Sequence, residues 1–81
     1  MFDPHPIAAA MALDIAGKTW LYEGVREHVV RECLGLSLTA YWQFVNALID
    51  TELALQLEPT TTNRLRHIRA TRQRSRSLRS A

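Results

Sequence analysis

The sequence predicts an all-α fold: a helix-turn-helix domain of three to four helices with a basic C-terminal helix. Apolar residues recur at three- and four-residue spacing through 7–20, 25–34 and 38–49. The segment Leu34-Gly35-Leu36-Ser37 joins the last two runs with a corner glycine and a capping serine. Near the C-terminus Arg69, Arg72, Arg76 and Arg79 recur at steps of three and four, one stripe of a further helix.

Residues 1–6 read as an extended lead-in, because Pro4 and Pro6 disfavour helix in the residue before each. Asp3 or His5 is placed to cap the first helix. That 7–20 helix is alanine-rich, with Ile7, Met11, Leu13 and Ile15 as its apolar residues, and Gly17 weakens its end. Trp20, Leu21 and Tyr22 are expected against the next two helices, with Gly24 breaking the run. The 25–34 helix should bury Val25, Val29, Val30, Cys33 and Leu34. Arg26, Glu27, Arg31 and Glu32 should face water, with Glu27 and Arg31 paired one turn apart.

Gly35 can adopt the positive φ that ends a helix in a tight corner. Ser37 then caps the 38–49 helix. Leu38, Tyr41, Val45 and Leu48 form one buried stripe there, widened by Phe44 and Ile49. Trp42 is the odd residue, apolar on the outward face, and is expected in the core or a dimer. Thr51 caps a short turn, 52–57, whose Leu53, Ala54 and Leu57 would seal the core. Glu58-Pro59 is a boundary, and one residue of Thr60–Asn63 should cap the basic helix. The chain thus divides into three units: lead-in 1–6, core 7–58, and arginine-rich helix or tail 59–81.

A chain of 81 residues is one small domain. It buries only about 60% of the surface its unfolded form exposes. With 47% apolar residues, a homodimer is expected. The single cysteine, Cys33, rules out an intrachain disulfide framework or zinc cluster, and it reads as a small buried hydrophobe. No metal or cofactor is expected. His28 has glutamate rather than histidine one turn on. A cytoplasmic, nucleoid-associated location fits the cysteine usage. Residues 1–6 lack the positive charge of a signal peptide. The apolar run 7–13 is far short of the roughly 20 residues that span a bilayer, so no membrane role is expected.

Charge divides the chain. Residues 1–58 hold all eight acids and three bases, a net −5, while 59–81 hold seven arginines and no acid. Such a segment attracts a polyanion, nucleic acid first. Arginine's planar fork suits phosphate. The candidate phosphate contacts are Arg64, Arg66, Arg69, Arg72, Arg74, Arg76 and Arg79. On the 38–49 helix, Gln43 and Asn46 carry the paired amide donor and acceptor that bridge the major-groove edge of adenine. Ser37 and Thr39 complete the candidate DNA-binding set. No catalytic constellation is present: no Gly-rich phosphate loop, and no carboxylate pair beside a nucleophile. An enzyme is therefore not expected.

Several residues carry a resemblance: Trp20, Tyr22-x-Gly24, Glu27, Leu34-Gly35-Leu36-Ser37, the block Tyr41–Asp50, Ala54-Leu55, Glu58-Pro59, Arg64-Leu65-Arg66, Arg69, Arg72-Gln73-Arg74 and Arg76. From Trp20 to Ser80 the chain resembles a family of small actinobacterial and phage-borne proteins that carry a domain of unknown function with a sigma-region-four-like helix-turn-helix. The resemblance implies a nucleic-acid-binding or transcription-linked role. Ala40 stands where the family has arginine, which removes one phosphate anchor. Three functions are expected, in descending order. The first is a transcriptional regulator on double-stranded DNA, with the 38–49 helix in the major groove. The second is a protein-binding module for RNA polymerase or a sigma factor. The third is self-assembly, with the basic segment of one protomer against the acidic body of another.

Overall fold

Five helices, and no strand, make up residues 2–80, the part of the chain that the computed structural model describes; side chains are described as far as Arg76. They are α1 (Pro6–Gly17), α2 (Glu23–Leu34), α3 (Leu38–Leu48), α4 (Glu52–Leu57) and α5 (Pro59–Ser80). The all-α expectation holds. The short segment 52–57 is a helix in its own right, which raises the number beyond four.

α1 is the hub. It starts with Pro6 in its first turn, where a missing N–H costs nothing, and His5 Nδ1 accepts from the Ile7 amide at 3.1 Å. Its buried residues are Ala9, Ala12, Leu13, Ile15 and Ala16. Small alanines let neighbours approach closely, and α1 packs against each of the other four helices. Sequence reasoning placed Ile7 on the inner face, yet it is 66% exposed. The alanines mark the contact face together with Leu13 and Ile15. The helix ends at Gly17, three residues earlier than expected, with Lys18 extended after it, and α5 passes close to the glycine. A Cβ at Gly17 would lie 3.0 Å from Thr61 Oγ1.

After α1 the chain turns outward. Trp20 stays half-buried, its Nε1 donating to the Ile15 carbonyl at 2.9 Å. Leu21 and Tyr22, expected against the core, are 85% and 67% exposed. Gly24 does not break the run; it lies inside the first turn of α2. Of the predicted α2 stripe only Val30 is buried, Val29 and Leu34 are half-buried, and Val25 and Cys33 are exposed. Arg26, expected in water, is half-buried instead. Residues 26, 30 and 34 share one side of a helix, so α2 is rotated toward Arg26 and away from Val25 and Cys33.

The corner forms as expected. Gly35 has φ +67°, and its N–H bonds the Arg31 carbonyl. Ser37 Oγ accepts from the Ala40 amide at 3.2 Å. In α3, Tyr41, Val45 and Leu48 are buried, with Ile49 just beyond. The Tyr41 hydroxyl donates to the Ala12 carbonyl at 2.8 Å, tying α3 to α1. Burial pushes the Tyr41 phenol far above its ordinary value, so it remains a donor across the working pH range. Trp42 is half-buried against the core, edge-on to Tyr41 at 4.9 Å between centroids.

Thr51 Oγ1 caps α4, accepting from the Ala54 amide at 3.2 Å. Ala54 is buried and Leu53 packs on the core, but Leu57 is 37% exposed and seals nothing. No threonine caps α5. The helix begins at Pro59 itself, so Thr60, Thr61, Thr62 and Asn63 all lie inside it. Thr62 is fully buried and its Oγ1 donates to the Ala54 carbonyl at 3.0 Å. That bond fixes the α4–α5 angle through a one-residue junction, Glu58. At 1.5 Å per residue, the 22 residues of α5 run about 33 Å, long against a 42 × 30 × 23 Å molecule.

Candidate nucleic-acid interface

The inward stripe of α3 sets its rotation. With Tyr41, Val45 and Leu48 buried, residues at i, i+4 and i+7 on the far side must face water. Thr39, Gln43 and Asn46 are those residues, and all three are exposed. α3 carries no charged side chain. Ser37 is also exposed, but its hydroxyl is occupied by the cap.

Beside this polar strip lies an open groove of about 690 Å³ between α3 and α5. Val45, Ile49, Leu65 and Ile68 form its apolar floor. Arg26, Arg69, Arg72 and Arg76 rim it, with no acidic residue among its lining. Arg26 lies over the Trp42 ring, 5.2 Å from its centroid, which joins cation to π-face and buries the guanidinium stem. The Arg26 Nε is buried with no hydrogen-bond partner.

α5 is held against α3 at its base. The Arg66 Nε donates to the Ile49 carbonyl. Arg69 forks onto Asp50, with bonds of 2.6 and 3.1 Å to the two carboxylate oxygens. The same guanidinium reaches Asn46 Oδ1 at 3.1 Å. Hydrogen bonding from Arg69 holds the Asp50 carboxyl below the usual carboxylate range, and Asp50 in turn raises Arg69. Arg69 thus bridges the two helices and neutralises the acid at the foot of the strip.

A carboxyl depressed in the folded state contributes stability that is present above the unfolded carboxylate pKa, about 3.9. That contribution is lost as pH falls through the lower folded value. Asp50→Asn is expected to flatten the acid limb of a plot of thermal midpoint against pH, with little change at neutrality because the pair is solvent-exposed. An unchanged acid limb would show that the bridge does not hold α5.

A family model described as Protein of unknown function (DUF3263) matches residues 8–77. The chain belongs to the DUF3263 family. No curated protein and no solved structure matches it. The DUF3263 match spans α1 through most of α5, so it contains the whole groove. It agrees with the resemblance seen in the sequence at the level of a domain of unknown function.

The DUF3263 fold divides the seven candidate arginines. Arg69, Arg72 and Arg76 come together with Asn46 along the groove. Arg64 and Arg74 are exposed and absent from its lining, Arg74 on the opposite side of the α5 wheel and Arg64 to one side. The Nε of Arg66 is already committed to a backbone carbonyl. The Arg79 side chain lies outside the described residues. Sequence reasoning missed Arg26, Trp42 and Gln73 as groove residues. Signals for two of them were present: Arg26 shares spacing with Val30 and Leu34, and Gln73 with Arg69. Among the described residues no three His, Cys, Asp or Glu side chains are grouped to hold a metal ion. No described helix is long and apolar enough to cross a membrane.

Proposed function

We propose that this DUF3263 domain binds double-stranded DNA and acts as a transcriptional regulator. One observation carries the reading: the uncharged polar strip of α3 lies directly beside the arginine rim of α5. An α-helix fits the major groove, about 12 Å wide. With α3 there, the flanking sugar–phosphate ridge would meet Arg72 and Arg76, while Thr39 and Gln43 face base edges. Asn46 shares its amide with Arg69, so it supports the rim and leaves Gln43 as the chief base reader. Such a regulator would work in the cytoplasm at the nucleoid. The helix–corner–helix of α2 and α3 supports the sigma-region-four-like reading.

Gel-shift titration tests this. Arg72 and Arg76 on phosphates give a log–log slope of affinity against salt of about −2, at −0.9 per phosphate. A flat response would sink the reading. The apolar groove floor favours a second reading, a module that docks on RNA polymerase or a sigma factor. Co-purification that survives nuclease treatment would support it over DNA.

A further inference from the structure

We infer that the α1–α2 corner of one protomer fills the α3–α5 groove of a second copy of this chain, and reciprocally. The corner is apolar where a lone protomer has no use for it: Leu21 is 85% exposed, Tyr22 67% and Val25 47%. Apolar spacing along α2 calls for an interior on that side, and none of the described residues provides it. The groove presents the opposite lack. On the α5 side its floor is uncovered: Ile68 is 39% exposed and Leu65 half-buried, while Val45 and Ile49 are buried beneath.

Charge selects the occupant. Four arginines rim the groove and its lining holds no acid, with Asp50 engaging Arg69 and Glu23 engaging Arg26 from outside it. The corner carries Glu23 and Glu27, both exposed and interleaved with its apolar residues, each held only by a 3.4 Å pair within α2, to Arg26 and Arg31, that a partner's arginine can replace. An acidic, apolar projection therefore faces a basic, apolar recess. The two also adjoin on one protomer, since Glu23 reaches Arg26 of the groove at 3.4 Å. A projection beside its own matching recess is what a two-fold operator needs: each copy inserts and receives, and the assembly closes at two. A chain of this size, marginal alone, gains most from such a closure. This inference does not rest on DNA binding. It does make the duplex and the second protomer compete for one arginine rim.

Sedimentation equilibrium without DNA tests it. The full chain is expected to show a concentration-dependent monomer–dimer equilibrium that weakens with salt. Leu21→Arg and Arg72→Glu change exposed side chains, so each variant should keep the wild-type circular dichroism spectrum and melt. Each should dimerise about tenfold or more weakly. An equimolar mixture of the two variants should regain dimer, because the introduced charges then attract across one contact while the other contact is native. Generic apolar association would give no such rescue. A wild-type chain that stays monomeric to about 1 mM, or variants that fail to complement one another, would overturn the inference.

Discussion

Tyr41→Ala is expected to destabilise the domain by about 3–5 kcal/mol, the cost of emptying a buried aromatic site. Native stabilities of small domains are only about 5–15 kcal/mol, so the variant should be close to unfolded at 37 °C. Tyr41 is fully buried and joins two effects. Its ring fills the space between α1 and α3. Its hydroxyl holds the Ala12 carbonyl across 29 residues of sequence. Urea denaturation followed by circular dichroism would measure the sum. Tyr41→Phe keeps the ring and removes only the hydrogen bond, worth about 0.5–1.5 kcal/mol. If the two variants lost equal stability, the hydroxyl rather than the packing would dominate. If neither lost any, α3 would not be anchored on α1.

Arg72→Ala with Arg76→Ala is expected to have the largest effect on DNA affinity. It should weaken every duplex about equally and make the salt slope shallower by about two. The α3–α5 bridge falls to Arg66 and Arg69, which the double variant leaves in place. A melting curve run alongside separates the two effects: a variant that melts as wild type yet binds weakly has lost phosphate contacts rather than structure. Gln43→Ala is the contrast. It should leave the slope alone and change preference by about 1–3 kcal/mol at one base pair. Selection from a random DNA pool would show this. A double arginine variant that binds as tightly as wild type, with the same slope, would remove α5 from the interface.

The α2–α3 corner and the inner face of α3 were legible in the sequence. Gly35, Ser37, Tyr41, Val45 and Leu48 act through local rules: a positive φ, a cap, and a 3.6-residue repeat. The face that α2 buries was not legible. Val25 and Cys33 extend its apolar stripe as well as Val30 does, and only the position of α1 decides among them. The hidden role of alanine in α1 has the same origin, because a contact made by small residues has no bulky signature. One residue of Thr60–Asn63 was expected as a cap because such residues usually act locally, whereas Thr62 bonds a carbonyl of the preceding helix. At the candidate site, the charge of α5 was evident but its division was not. Which arginine meets a carbonyl, a carboxylate or open groove depends on where α5 crosses α3.

The placement of α1 has a consequence for how the chain comes into being. Of the five helices described, the one synthesised first is the wall on which the other four rest. Its alanine stripe has no complete cover until the residues after Pro59 have been made. α1 must therefore wait for α5 to be made, and the contacts between these two helices, far apart in sequence, are the ones that close the structure. A truncated product lacking α5 would be left with an open seam, a substrate for proteolysis rather than a smaller working domain.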